Sequence, residues 1–223
     1  MNQLFIDTAN LNEIREADEM GVIRGVTTNP TIISKEPKGD FDSLLKRLAE
    51  YCGKKSLSLS VEIFATEHNE MVDQAMALNE SLSSLCGSVY IKIPIGITEL
   101  KVIREVSNKG VNVNCTCCYT EQQLQMAAAA GAKYVSLFYA RLRDIGGDPN
   151  RVLQRTQKFL HSNCYDTQII AGSIRSALDV ADSWENGAGI ATTSLSVIKS
   201  MAQHPQTTAS VNKFLDDFKA WRG

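Results

Sequence analysis

Ser-Val-Tyr-Ile-Lys-Ile-Pro-Ile, residues 88–95, is a short apolar run of the kind a buried parallel strand makes, with one lysine inside it. Lysine is among the residues least often fully buried, because desolvating an ammonium is expensive. A buried lysine tends towards its neutral form, and a neutral amine is a nucleophile that condenses with a bound carbonyl. The alternative is that Lys92 ends its strand and reaches into water. The segments on either side of this run decide between the two.

Working outward, the same kind of run recurs near 3–7, 24–29, 57–64, 111–117, 134–139, 168–173 and 188–193. Segments of helical period alternate with these runs, at 10–20, 40–52, 68–85, 97–108, 120–130, 149–162, 175–185 and 195–202. A last helix is predicted over 207–221. Eight strand–helix units without a linker or low-complexity tract predict one α/β domain over 1–223, a (β/α)8 TIM barrel with an extra C-terminal helix. An open doubly wound sheet is the competitor, but the Gly-rich phosphate turn G-x-G-x-x-G is missing from the sequence.

Alternation within the strands adds a second pattern, because successive side chains point to opposite faces. Leu4 and Ile6 oppose Phe5 and Asp7; Leu59, Val61 and Ile63 oppose Ser60, Glu62 and Phe64; Ile91 and Ile93 oppose Tyr90 and Lys92. Val113 and Cys115 oppose Asn114 and Thr116, and Val135 and Leu137 oppose Ser136 and Phe138. In the seventh strand Ile170 and Gly172 are set against Ala171 and Ser173, and the second strand offers Thr27 and Asn29. One face is therefore aliphatic and suited to packing on helices. The other gathers Asp7, Asn29, Glu62, Lys92, Asn114, Thr116, Ser136 and Ser173 towards the strands' C-terminal ends, where barrel enzymes carry their sites. Left without a polar ligand or ordered water, such an interior would hold many unsatisfied groups.

A lysine, two carboxylates, hydroxyls and amides in one pocket suit class I aldol chemistry, in which an iminium draws electrons from a neighbouring C–C bond. The carboxylates move protons. This chemistry calls for no metal or organic cofactor. Gly-Ser-Ile-Arg (172–175) ends the seventh strand and opens a helix, the usual phosphate location of this fold, and Arg141 offers a second guanidinium. Arg143 reads as a surface residue.

Composition narrows the classes. The chain has 223 residues, 43% hydrophobic and 22% charged, with a net charge of −2. Nothing steers it to nucleic acid or an anionic membrane. No apolar stretch nears the roughly 18 residues of a membrane span, and the N-terminus lacks a signal-peptide core, so a cytoplasmic protein is expected. The six cysteines include Cys-Thr-Cys-Cys (115–118) at the end of an apolar strand. This cluster shows no zinc-ligand spacing with His68, His161 or His204, and reads as small buried hydrophobes in a reducing compartment.

The residues quoted above resemble the transaldolase family in its small form. The resemblance runs through Leu-Phe-Ile-Asp-Thr-Ala-Asn (4–10), Gly-Val-Thr-Thr-Asn-Pro-Thr (25–31), Ser-Val-Glu (60–62), Ile-Lys-Ile-Pro (91–94), Asn-Cys-Thr (114–116), Ser-x-Phe…Arg (136–141) and Ser-Ile-Arg (173–175). It implies Lys92 as the Schiff-base lysine, with Asp7 and Glu62 as proton carriers. It implies Thr27, Asn29, Asn114, Thr116, Ser136 and Phe138 around a dihydroxyacetone unit, and Arg141, Ser173 and Arg175 around a phosphate. Sugar phosphates are the implied substrates, and a homo-oligomer, pentamer or decamer, the implied assembly. The related fructose-6-phosphate aldolases carry glutamine and tyrosine where this chain has Glu62 and Phe138, so the resemblance leans to transaldolase. Two alternatives stay open: such an aldolase, and a barrel that binds sugar phosphates without turnover. Tyr139-Ala140 and the cysteines at 115, 117 and 118 depart from the family pattern. The tail carries Val211, Phe214, Leu215, Phe218 and Trp221 on one helical face, which either folds over its own barrel or packs on a neighbouring subunit.

Overall fold

In the computed structural model, which describes residues 2–223, eight strands close into a barrel. They are β1 (Gln3–Asp7), β2 (Ile23–Thr27), β3 (Ser58–Glu62), β4 (Val89–Pro94), β5 (Val113–Cys118), β6 (Tyr134–Phe138), β7 (Gln168–Gly172) and β8 (Ile190–Thr193). Each pairs in parallel with the next, and β8 returns to β1 through Phe5 opposite Thr192. The helices are α1 (Leu11–Glu19), α2 (Pro30–Ile33), α3 (Phe41–Lys54), α4 (His68–Ser83), α5 (Ile97–Asn108), α6 (Glu121–Ala130), α7 (Tyr139–Asp144), α8 (Pro149–Ser162), α9 (Ala177–Glu185), α10 (Leu195–Met201) and α11 (Pro205–Arg222). The expected (β/α)8 barrel with a C-terminal helix is the fold.

The alternation read from the sequence builds two cores. Leu4, Ile6, Val26, Leu59, Val61, Ile91, Ile93, Val113, Val135 and Leu137 face the helices and are buried in the larger core. Each such side chain contributes about 1.5–3 kcal/mol when fully buried. Inside the barrel, at its N-terminal end, Phe5, Tyr134, Ile170 and Ile190 form a second cluster with Tyr90 packed on it. The Tyr90 and Tyr134 rings stack at 3.9 Å, and Phe5 meets Tyr134 edge-on at 6.3 Å. Gly25 belongs to this layer by necessity, because a Cβ there would lie 2.7 Å from the Phe5 ring.

Helix ends follow their caps. Helices α5 and α8 begin and end where helical period predicts. Asp148 caps α8 by accepting from the Arg151 N–H, and Thr120 with Gln123 makes a capping box at α6. Helix α9 starts at Ala177 rather than 175 because Ser176 caps it, and α11 starts at Pro205 rather than 207, with the proline in the first turn. Two short helices, α2 and α7, were not expected: four and six residues are too few to show a period. Helix α11 leaves its apolar stripe in solvent rather than folding it over its own barrel, with Phe214 67% and Trp221 81% exposed.

The seventh strand corrects the sequence reading. Ile170 lies in the inner cluster, Gly172 faces the interior cavity and Ala171 packs outward with the helices. The inward face is thus Ile170–Gly172, not Ala171–Ser173. With no polar residue between Gln168 and Gly172, alternation alone had nothing to choose by.

Candidate active site

Above the aromatic layer the interior turns polar. Asp7, Thr27, Asn29, Lys92, Asn114, Thr116, Ser136, Phe138, Gly172, Ser173 and Thr192 line a narrow hollow of about 30 Å³. Asp7, Asn29, Lys92, Phe138 and Ser173 also line a wider cavity of about 260 Å³, together with Pro30, Thr31, Glu62, Cys117 and Arg141. Larger hollows of about 520 and 710 Å³ lie along 33–47 and between α5 and α6, but neither draws on the barrel strands. Among the described residues, no cluster of three or more His, Cys, Asp or Glu side chains is arranged to hold a metal ion.

Lys92 points inward and only 6% of its surface is exposed. Its Nζ donates to the Thr28 carbonyl at 2.6 Å and lies 3.2 Å from Glu62 Oε2. The pairing of β3 with β4 sets Glu62 directly opposite Lys92, so the ion pair follows from strand register. Of the two readings of Lys92, the buried one describes the structure. Next along the sheet, Asn114 sits opposite Lys92 on β5 and is fully buried. It accepts from Ser136 Oγ at 2.7 Å and donates to Ser60 Oγ at 3.2 Å. These bonds hold its amide in place beside the lysine.

Asp7 closes the ring from β1. Thr27 Oγ1 donates to Asp7 Oδ1 at 2.6 Å and lies 2.7 Å from Thr192 Oγ1. Since the Thr27 proton is given to Asp7, Thr192 is the donor of the second bond. Loss of solvent raises the Asp7 pKa, against opposing pulls from Lys92, the Thr27 hydrogen bond, Arg141 and Lys35. Asn29 spends its Oδ1 on the Ile32 N–H as the cap of α2, which leaves its amide nitrogen for the cavity.

The proposed anion residues divide. Arg141 lines the cavity, with its guanidinium 4.5 Å over the Phe138 ring. Ser173 lines it too, although its strand parity points away, because its left-handed backbone (φ 58°) turns the chain at the end of β7. Arg175 is absent from both cavity walls and its guanidinium pairs with Asp144. Arg143 lies at the surface as expected, and from there donates at 2.6 Å to Asp179, which is buried. Burial pushes the Asp179 carboxyl up, but the bonds from Arg143 and the Arg175 backbone N–H together hold it below the usual range. That carboxylate anchors the segment 173–176 that leads into α9.

Pro30, Thr31, Gly172, Thr192 and Cys117 also line the cavity and were not among the sequence-predicted site residues. Thr192 lies on β8, where Thr192-Thr193 gives alternation no contrast to work on. Cys117 lies at a break in the pairing of β5 with β6 between Cys115 and Cys118, with φ 61°. The bulge turns Cys117 into the cavity and leaves Cys115 and Cys118 buried in the outer core, as expected of small hydrophobes. Burial first, and then the Glu62 carboxylate, push the Cys117 thiol pKa up, while Lys92 opposes them. A positive φ on a non-glycine residue has no marker in the sequence.

Residues 4–222 match the family described as Transaldolase/Fructose-6-phosphate aldolase. The chain is 38% identical over 221 residues to a probable transaldolase of Parabacteroides distasonis, covering 99% of this chain and 100% of that one. It is 37% identical over 217 residues to a protein named probable transaldolase 1 of Bacillus cereus, covering 97% of each. Among solved structures, a designed cube-shaped, porous protein cage built by fusing symmetric oligomeric domains is similar with a TM-score of 0.61 at 14% identity. That likeness covers 99% of this chain and 78% of the other, and speaks for the fold alone.

Proposed function

The chain belongs to the transaldolase/fructose-6-phosphate aldolase family, and from that premise we propose that it is a transaldolase. It would move a dihydroxyacetone unit from sedoheptulose 7-phosphate to glyceraldehyde 3-phosphate, giving erythrose 4-phosphate and fructose 6-phosphate, and the reverse. The observation that carries this reading is Lys92: a buried amine 3.2 Å from a carboxylate, inside a cavity ringed by hydroxyls and amides.

The steps follow from these positions. Lys92 passes a proton to Glu62 and its free amine adds to the C2 ketone of the donor sugar. Loss of water, with Glu62 returning the proton, leaves an iminium. Asp7 takes the proton of the C4 hydroxyl; the C3–C4 bond breaks, its electron pair flows to the iminium nitrogen, and the shortened aldose departs. The enamine that remains attacks the carbonyl carbon of the acceptor aldose, and Asp7 returns its proton to the new hydroxyl. Water then releases the ketose from Lys92. A carboxyl whose pKa is raised by desolvation suits this shuttle. Asn29, Asn114, Ser136, Thr27 and Thr116 hold the hydroxyls of the dihydroxyacetone unit or the water, and Arg141, Ser173 and Arg175 hold the phosphate.

Phe138 supports transfer over release. It lines the cavity with Lys92, and a ring without a hydroxyl offers the enamine no proton there. A coupled assay with fructose 6-phosphate, with and without erythrose 4-phosphate, tests the proposal. Turnover should require the acceptor. Free dihydroxyacetone formed at the same rate without it would make the protein an aldolase, and no turnover or trapped adduct would make it a binder.

The exposed stripe of α11 supports assembly into a homo-oligomer, a pentamer or decamer, with this helix on a neighbouring subunit. Deleting residues from Ala209 onward should give smaller species or aggregates by light scattering. A full-length monomer at micromolar concentration would refute the assembly.

A further inference from the structure

Arg175 does not stand open to a ligand. Asp144 holds its guanidinium through two bonds, one from Nη1 to Oδ1 at 3.0 Å and one from Nη2 to Oδ2. The side chains are 54% and 45% exposed, so this is a surface pair in a strong, two-pronged geometry. Its placement is what matters. Asp144 ends α7 three residues after Arg141, hence on the same helical face, and Arg141 lines the cavity. Ser173, two residues before Arg175, lines the cavity as well.

The backbone of this segment is fixed without Asp144. The Arg175 N–H donates to Asp179 Oδ2 at 3.0 Å, and the Ile174 carbonyl accepts from Thr193 Oγ1 at 3.5 Å. Arg143, the other guanidinium after Arg141 on α7, is engaged by Asp179. Asp144 therefore binds only the guanidinium end of Arg175, and does so from the helix that also carries Arg141.

We propose that Asp144 is a specificity-determining latch: it occupies the Arg175 guanidinium in the empty protein and is displaced by the phosphate of an arriving sugar. This rests on the reading that Arg175 binds phosphate. Carboxylate and phosphate compete for the same fork of N–H donors. A phosphate dianion carries the greater charge and displaces the carboxylate, but its affinity is lowered by whatever the latch is worth. An exposed pair of this kind shifts an equilibrium by at most about five-fold. A group without phosphate does not release the latch, so Asp144 acts on phosphorylated ligands alone.

The test turns on the sign of one effect. In Asp144→Asn, the KM for erythrose 4-phosphate and the inhibition constant of inorganic phosphate should both fall about two- to five-fold. The KM for unphosphorylated glyceraldehyde should hold. In an Arg175→Ala background the same substitution should change neither constant. If Arg175→Ala weakens phosphate but Asp144→Asn leaves the constants unchanged or raises them, Asp144 is no latch and the phosphate reading stands. If Arg175→Ala leaves phosphate inhibition unchanged, the phosphate reading of Arg175 fails and the latch fails with it.

Discussion

Two residues along one strand separate the two ends of this barrel. Phe5 and Asp7, Tyr90 and Lys92, Tyr134 and Ser136 are neighbours on the same inward faces of β1, β4 and β6. The first of each pair belongs to a layer of packed aromatics; the second lines the cavity. One end of the interior is filled by aromatic packing between the strands, while the other keeps a buried amine and carboxylates out of bulk water. The same periodicity serves both because a barrel turns position along a strand into depth. Stability and the proposed chemistry should thus respond in opposite senses to substitutions one inward position apart.

The largest separation is expected at Asp7 and Phe5. Asp7→Asn removes the proposed proton carrier and should lower turnover by about 10²–10⁴-fold, read from kcat in the coupled assay. Its effect on stability should have the opposite sign. The folded-state pKa of Asp7 is raised, so ionising it costs stability that is intact at pH below its unfolded value near 3.9 and is lost as pH rises through the folded value. Asp7→Asn should therefore raise the melting temperature at pH 7 and lose that advantage below about pH 4. An equal gain at both pH values would mean that burial of the charge is not the cause. Phe5→Ala should do the reverse, costing about 3–5 kcal/mol in chemical denaturation. The folded fraction should keep its kcat, and a folded variant that loses turnover as Asp7→Asn does would erase the division between the ends.

A smaller effect belongs to the cavity rim. Arg141→Ala should weaken phosphorylated acceptors by about 1.5–3 kcal/mol, the range for hydrogen bonds to charged groups, and leave unphosphorylated aldehydes nearly untouched. Equal losses for both would make Arg141 a packing residue over Phe138. The smallest effect is a change of outcome rather than rate. Phe138→Tyr sets a hydroxyl near the proposed enamine and should raise the share of free dihydroxyacetone, with Glu62→Gln added to it raising the share further. An active variant with unchanged partitioning would detach Phe138 from the choice between transfer and release.

The comparison also shows why parts of the site were legible in the sequence. On β1, β3, β4, β5 and β6 the inward polar residues alternate with outward aliphatic or cysteine side chains, so Asp7, Glu62, Lys92, Asn114, Thr116 and Ser136 announce themselves. Parity fails where that contrast is missing or the strand breaks. On β7 it put Ser173 on the inward face for the wrong reason: the residue reaches the cavity through a left-handed turn. Cys117 arrives through a bulge, and Thr192 sits beside another threonine. Arg175, expected to open a helix, lies before the Ser176 cap of α9, and its pairing with Asp144 depends on a helix, α7, too short to leave a periodic trace.

The central claim is that the buried amine of Lys92 becomes covalently bound to the sugar. Borohydride reduction of the protein in the presence of fructose 6-phosphate, followed by peptide mass mapping, tests it directly. The account predicts added mass on the peptide containing Lys92, and none in Lys92→Arg, whose guanidinium does not deprotonate to a nucleophile. An adduct on a different lysine, or no adduct on a protein that turns over, would contradict it.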